Sequence, residues 1–135
     1  MLQAVWTERT MVRNRTNDHE KATVLVVDDD DAVREVAVAA LADRFHVIEA
    51  ESGGEALDLL DREPIDVVVT DIVMPGVSGF HVLRSAQRRR PPAKVLIISG
   101  FAPGIVDAQL PPGGFLPKPF RLAELEQAVT RLLDS

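Results

Sequence analysis

The order of apolar and polar positions from residue 23 onward predicts alternating strands and helices. Five apolar runs have the length of strands: Thr23–Val27, His46–Ala50, Ile65–Thr70, Lys94–Ile98 and Phe115–Leu116. Most of the segments between them instead repeat apolar residues at helical spacing. Strands that alternate with helical segments are typical of a parallel sheet covered by helices. The pattern therefore predicts an α/β fold with one five-stranded parallel sheet.

Four helices have clear sequence signals. Asp30 or Asp31 can cap the first helix, and Ser52 can cap the second. Two more helices are predicted at residues 78–89 and 121–133. The first helix has apolar positions at i, i+3, i+4, i+7 and i+8 spacing, namely Val33, Val36, Ala37, Ala40 and Leu41. We expect this apolar stripe to face the sheet.

Two segments do not follow the pattern. Residues 1–20 show no clear apolar period and end in polar residues, so we expect a flexible tail ahead of one domain at residues 21–135. Residues 101–114 are interrupted by several prolines and glycines, which are poor helix formers. We therefore expect the helix between the fourth and fifth strands to be short or distorted.

Composition narrows the range of functions. A chain of 135 residues can bury one core but is short for two ordinary domains. The net charge of −6 disfavours direct nucleic-acid binding, and the lack of cysteine excludes disulfides, thiolate metal sites and thiol nucleophiles. No apolar stretch reaches the ~20 residues of a membrane span, and residues 1–20 lack the apolar core of a secretory signal. We expect a cytoplasmic protein without membrane insertion.

Polar residues that can carry chemistry follow four of the five predicted strands. Asp28 and Asp29 follow the first strand, Asp71 the third, Ser99 the fourth and Lys118 the fifth. The carboxyl ends of the strands in an open parallel sheet meet at one edge, where ligand crevices form. We therefore expect three carboxylates, one hydroxyl and one ammonium group to share a site.

The predicted cluster of carboxylates favours a bound Mg²⁺ ion. Carboxylates this close repel each other, and a cation usually offsets that repulsion. An oxygen-only donor set with no histidine or cysteine nearby in sequence suits Mg²⁺ better than Zn²⁺. Taken singly, Asp28–Asp31 could be a helix cap and Asp71 a turn residue. The joint pattern, with Lys118 and Ser99 available to contact a phosphate, favours a phosphoryl-transfer site.

These motifs resemble the receiver domain of two-component response regulators, the CheY-like family. The matching segments are Val24–Asp30, Val69–Gly76, Ile98–Gly100 and Lys118–Phe120, and the resemblance covers about residues 22–134. It implies a doubly wound, flavodoxin-like parallel sheet with strand order 2-1-3-4-5. The site is then expected at the switch point between strands one and three.

The resemblance implies an acceptor and a set of metal ligands. Asp71 matches the phosphoacceptor of the family. Asp28 and Asp29 match the acidic pair that binds Mg²⁺, together with Asp71 and the backbone carbonyl of Val73. Val73 and Phe101 also occupy two positions that tune phosphoryl lifetime in the family. Neither side chain can orient an attacking water, so we expect slow self-dephosphorylation.

The resemblance also implies a phosphate contact and a switch. Lys118 matches the phosphate-binding lysine, and its bond to Pro119 is expected to be cis, a state available at modest cost only before proline. Ser99 matches the switch hydroxyl, which would approach the acyl phosphate. Phe115 matches the aromatic switch residue, which would turn into the space that Ser99 vacates.

The implied function is a phosphoryl-accepting signalling switch rather than an enzyme. The expected donor is a phosphohistidine on a sensor histidine kinase or a histidine phosphotransfer protein, and the output is expected to pass to a downstream protein target. We expect no direct nucleic-acid partner, and homodimer formation stays open. The chain is interpreted as a stand-alone receiver.

Three other interpretations fit part of the sequence. The chain could be a receiver fragment of a hybrid histidine kinase, or a receiver-fold docking module that works without phosphorylation. A phosphatase of the haloacid-dehalogenase class also uses a nucleophilic aspartate with Mg²⁺, but it needs a second acid where this chain has Val73. The complete set of acids with Ser99 and Lys118 argues against pure docking.

Overall fold

Five strands and four helices are formed by the residues that the computed structural model describes, 22–100 and 114–135. In chain order they are β1 (Thr23–Val27), α1 (Asp31–Leu41), β2 (His46–Ala50), α2 (Gly53–Arg62), β3 (Val67–Asp71), α3 (Gly79–Arg88), β4 (Lys94–Ser99), β5 (Phe115–Pro117) and α4 (Leu122–Asp134). The flexible tail predicted for residues 1–20 and the shortened helix predicted after β4 lie outside the described residues.

The strands form one parallel sheet in the order β2-β1-β3-β4-β5. This confirms the predicted fold class and strand order. Three strands extend one residue further toward the carboxyl edge than predicted, ending at Asp71, Ser99 and Pro117. The predictions of β3 and β4 stopped before a polar residue that follows the apolar run, and the prediction of β5 stopped before a proline, which is uncommon inside strands. The start of β3 was placed two residues early, at Ile65 instead of Val67.

Alternate strand residues face opposite sides of the sheet and build two apolar cores. On one side, residues such as Leu25 and Val68 pack against α2 and α3. On the other side, residues such as Val24 and Val69 pack against α1 and α4. Burial on both faces explains why β1 and β3 are almost continuously apolar in sequence. The two cores fix the strand ends that carry the polar residues.

The helix starts confirm the predicted caps. Asp30 caps α1, and its carboxylate accepts hydrogen bonds from the amides of Ala32 and Val33. Ser52 caps α2 and accepts from the amide of Glu55. These bonds satisfy amide groups that have no partner within the helix. No helix in the described part of the chain is long and apolar enough to cross a membrane.

One residue of the predicted apolar stripe of α1 was placed wrongly. Val36 is 44% exposed instead of facing the sheet. The buried residues of α1 are Arg34, Ala37 and Leu41, which follow i, i+3, i+7 spacing. Turning α1 so that Val36 faced the sheet would move Arg34 away from the polar partners described below. The pairing of Arg34 therefore explains the helix orientation that hydrophobicity alone did not predict.

Candidate functional site

Three carboxylates converge at the carboxyl edge of the sheet. Asp28 and Asp29 directly follow β1, and Asp71 is the last residue of the neighbouring strand β3. Each of the three offers a carboxylate oxygen within 4.8 Å of the others. Asp28 is fully buried, whereas Asp29 is exposed. The cluster is therefore anchored inside the protein and open on one side.

Lys118 lies against two of these acids. Its ammonium Nζ is 2.8 Å from Asp71 Oδ2 and 3.5 Å from Asp28 Oδ2. The backbone amide of Lys118 donates to the Ser99 carbonyl at 2.8 Å, which holds the start of the β5–α4 loop beside β4. The Lys118–Pro119 peptide bond is cis, as the family resemblance implied. The sheet edge thus combines a carboxylate cluster with a fixed positive charge.

Burial and the charge of Lys118 have opposite effects on the pKa of Asp28. Burial raises the pKa of Asp28 above its usual value, and the charge of Asp71 adds to that effect. The amide of Asp30 and the ammonium of Lys118 oppose the rise in the Asp28 pKa. Partial burial acts to lower the pKa of Lys118, but its hydrogen bond to Asp71 and the nearby charges raise that pKa overall. Lys118 therefore carries its charge at neutral pH.

The loop between β3 and α3 is held close to Asp71. The amide of Val73 donates to Asp71 Oδ1 at 3.4 Å, and the buried Thr70 hydroxyl donates to the Asp71 carbonyl at 2.9 Å. The amide of Gly79 donates to the Ile72 carbonyl at 2.8 Å. A Cβ atom on Gly79 would overlap the Asp71 carbonyl oxygen. Only glycine allows α3 to begin this near the strand end.

The other predicted site residues that the structure describes lie on β4, on β5 and in the β3–α3 loop. Ser99 is fully buried at the end of β4, one residue beyond the residue that pairs with Asp71. Phe115, on β5, is half-buried against the core that contains α2 and α3. Val73 is 57% exposed two residues after Asp71. Phe101 lies outside the described residues.

Sequence reasoning missed Arg34. Its side chain is among the few buried polar or charged ones in the described segments, with 8% of the residue exposed. It donates from one nitrogen to the backbone carbonyl of Asp28 at 2.7 Å and from another to Glu49 at 3.2 Å. A third bond, of 2.5 Å, reaches Asp31. One sequence signal could have identified it, because Arg34 lies on the same face of the helix as Ala37 and Leu41. That signal was overlooked because charged residues are normally exposed.

The donor set suits a hard cation and a phosphate. All three potential ligand groups of the cluster are carboxylates, which match Mg²⁺ and not a soft metal. A carboxylate beside a paired ammonium group is also the combination that phosphoryl transfer requires, since charge must be neutralised while one oxygen attacks. The residues present therefore fit an oxygen-ligated divalent ion and phosphoryl chemistry.

Comparison with known proteins agrees with the chemistry of this site. Residues 24–130 match the Response regulator receiver domain family. The chain is 33% identical over 114 residues to the response regulator receiver protein CpdR of Brucella abortus, covering 82% of this chain and 95% of CpdR. It is 40% identical over 129 residues to the sensor kinase CckA of the same organism. That match covers 91% of this chain but only 14% of CckA, so the chain spans a small part of that relative.

Solved structures agree in fold and in sequence. A response regulator receiver protein from Sinorhizobium medicae superposes with a TM-score of 0.79 at 33% identity, covering 86% of this chain and 97% of that one. The receiver domain of the hybrid histidine kinase CckA gives a TM-score of 0.70 at 36% identity, covering 83% of this chain and 99% of that one. The chain belongs to the response regulator receiver domains of two-component signalling systems.

Proposed function

We propose that Asp71 receives a phosphoryl group from a phosphohistidine donor, in a site that holds Mg²⁺. The observation that carries the proposal is the convergence of Asp28, Asp29 and Asp71 within 4.8 Å, with Lys118 at 2.8 Å from Asp71. A helix cap or a turn would need neither the third acid nor the lysine. Asp71 is favoured as the acceptor because its carboxylate is the nearer of the two to Lys118 and its side chain is 14% exposed, against 1% for Asp28.

The metal would be held by the carboxylates of Asp28, Asp29 and Asp71 and by the backbone carbonyl of Val73. When bound, Mg²⁺ supplies positive charge that favours an attacking carboxylate beside a phosphate. The buried Asp28 is the anchor of this set, because its position is fixed by β1 and its carboxylate also accepts from the Asp30 amide at 2.9 Å.

The reaction is a transfer between two side chains. An oxygen of Asp71 attacks the donor phosphorus, the phosphorus–nitrogen bond breaks, and its electron pair stays with the imidazole of the donor. The product is an acyl phosphate on Asp71. Lys118 stands beside Asp71 before the reaction and neutralises charge on the phosphoryl oxygens as the group arrives. The phosphoryl group ends on the chain itself, so the chain acts as a signalling module that assists its own modification.

The signal would leave through β4 and β5. In the proposal, the Ser99 hydroxyl donates a hydrogen bond to a phosphoryl oxygen, and Phe115 turns inward as Ser99 moves. Ser99 ends β4, which pairs with β3, and Phe115 begins β5, which pairs with β4. Their movement changes the surface near β4 and β5, where a downstream protein target would bind. We extend the proposal to the cytoplasm, where a phosphohistidine donor made from ATP is available.

The similarity to CpdR and CckA supports a place in a phosphorelay. One relative is described as a receiver protein and the other as a sensor kinase. The proposed donor is therefore a sensor histidine kinase or a histidine phosphotransfer protein. Docking without phosphorylation is disfavoured, since it gives no reason for Lys118 to be held between Asp28 and Asp71.

Intact-mass measurement after incubation with acetyl phosphate and Mg²⁺ tests the proposal. Wild type should gain one phosphoryl group, whereas Asp71→Asn and a wild-type sample in excess EDTA should gain none. Phosphorylation of Asp71→Asn at the wild-type rate would assign the acceptor to another residue. Phosphorylation of wild type in EDTA would remove the metal from the proposal. If wild type gains no group from acetyl phosphate or from a phosphohistidine donor, the docking interpretation replaces it.

A further inference from the structure

Arg34 connects the acid pocket to two other parts of the fold. Its side chain is 10% exposed, and its guanidinium group bonds to three acceptors in different directions. One acceptor is the backbone of the β1–α1 loop at Asp28, one is Asp31 in the first turn of α1, and one is Glu49 on β2. Only the planar, forked head of arginine can serve three such acceptors together.

The bond to Asp28 is the one that bears on the pocket. The Asp28 carbonyl belongs to the peptide group that joins Asp28 to Asp29, so fixing it fixes the backbone between the two acids. The amide of Asp28 donates to the Ala50 carbonyl at 3.2 Å, which holds the other side of the same residue. The bond from Arg34 to the Asp28 carbonyl is buried and 2.7 Å long, and the positive charge of its donor strengthens it.

We propose that Arg34 is a positioning residue that holds Asp28 and Asp29 in the arrangement required for metal binding. This inference rests on the proposed function, because it assigns the residue a task toward that same metal site. The bond from Arg34 to Asp28 reaches the backbone carbonyl and not the carboxylate. Arg34 acts through the backbone of the loop.

Positioning and simple charge make opposite predictions for metal affinity. A cation next to the pocket repels Mg²⁺, so removing its charge alone would tighten metal binding. Removing the bond to the Asp28 carbonyl would instead let the acidic pair move and would weaken metal binding. Partners that orient metal ligands typically change affinity by about 10-fold to 100-fold when removed. Because Arg34 acts on the backbone and not on a ligand atom, we expect about 10-fold.

Two substitutions separate the effects. Arg34→Met removes both the charge and the fork, and Arg34→Lys keeps the charge but removes the fork. Mg²⁺ affinity is measured by isothermal titration calorimetry on the full chain, and folding is checked by circular dichroism. Both variants should bind Mg²⁺ about 10-fold more weakly than wild type. Phosphorylation by acetyl phosphate should need correspondingly more Mg²⁺ and should approach the wild-type rate at saturating Mg²⁺.

Matched controls remove the other partners of Arg34. Asp31→Asn and Glu49→Gln each break one ion pair of Arg34. The Asp31 and Glu49 side chains are 77% and 52% exposed, so neither change should disturb the core. Both variants keep Arg34 and its bond to the Asp28 carbonyl. We expect both variants to bind Mg²⁺ with affinity close to that of wild type. A loss as large as that of the Arg34 variants would assign the effect to the ion pairs.

The outcomes are separable from those of the proposed function. If wild type binds Mg²⁺ and is phosphorylated, but folded Arg34 variants bind Mg²⁺ as tightly or more tightly, the positioning inference is wrong and the proposed function stands. If both Arg34 variants are unfolded, Arg34 is a structural residue and the inference is also overturned. If wild type itself binds no Mg²⁺, the proposed function fails first.

Discussion

Substitution of Gly79 by alanine should damage both stability and the acceptor site. The added Cβ would overlap the carbonyl oxygen of Asp71 and lie 2.8 Å from the Cα atom of Ile72. Both are backbone atoms at the end of β3, which pairs with β1 on one side and β4 on the other. A strand paired on both sides has little freedom to move, so α3 must shift instead.

The magnitude follows from two opposing effects. Overpacking of a rigid site costs about 3 kcal/mol at the upper end of its usual range. Alanine gains up to about 1 kcal/mol over glycine in a helix. The free energy of unfolding should therefore fall by about 2 kcal/mol. Since Asp71 and the β3–α3 loop share the strained contact, the rate of phosphorylation by acetyl phosphate should fall as well.

Urea unfolding and phosphorylation kinetics check the Gly79→Ala prediction, with Gly54→Ala as the matched control. Gly54 is also in the first turn of a helix, but the nearest atom to its added Cβ would be Ser52 Oγ at 4.0 Å. The control should be as stable as wild type or more stable by up to about 1 kcal/mol. If Gly79→Ala matched this control in both stability and phosphorylation rate, the close packing of α3 on Asp71 would not be the constraint we describe.

Three further predictions follow from the site and from α1. Lys118→Met should slow phosphorylation of Asp71 by about 100-fold, the usual effect of losing one electrostatic group at a reacting oxygen, whereas Mg²⁺ should bind more tightly because the lost charge repels the ion; an unchanged rate in stopped-flow measurements would contradict this role. Val73→Asn should shorten the lifetime of the acyl phosphate, because the exposed valine cannot orient a water; a wild-type half-life of only seconds would contradict the expected slow hydrolysis. Leu41→Ala should reduce the free energy of unfolding by about 2–5 kcal/mol, whereas Val36→Thr should change it by less than about 0.5 kcal/mol, as thermal denaturation can show.

The sequence predicted the sheet because each strand is a largely apolar run, and four of the five runs are followed by a residue that can carry chemistry. β1 and β2 were predicted with the bounds that the structure has, and Asp30 and Ser52 were predicted as caps. The grouping of Asp28, Asp29, Asp71 and Lys118 followed from the general rule that parallel strand ends share an edge. The same rule does not give distances, which depend on register and on loop geometry.

The parts that sequence reasoning missed depend on contacts between distant segments. Arg34 is buried because Glu49 and the Asp28 carbonyl receive its charge, and nothing local in α1 indicates those partners. The requirement for glycine at position 79 arises from the packing of α3 against Asp71, which no helix propensity reveals. Assignments at residues 1–20 and 101–113 stay predictions, since those residues lie outside the described part of the chain.

The central claim is that the phosphoryl group is attached to Asp71. Borohydride reduction of the phosphorylated chain converts an aspartyl phosphate to homoserine, and peptide mass spectrometry then identifies its position. We expect homoserine at residue 71 alone, and only in samples that were phosphorylated with Mg²⁺ present. Homoserine at Asp28 or Asp29, or a phosphorylated chain with no homoserine at residue 71, would contradict it.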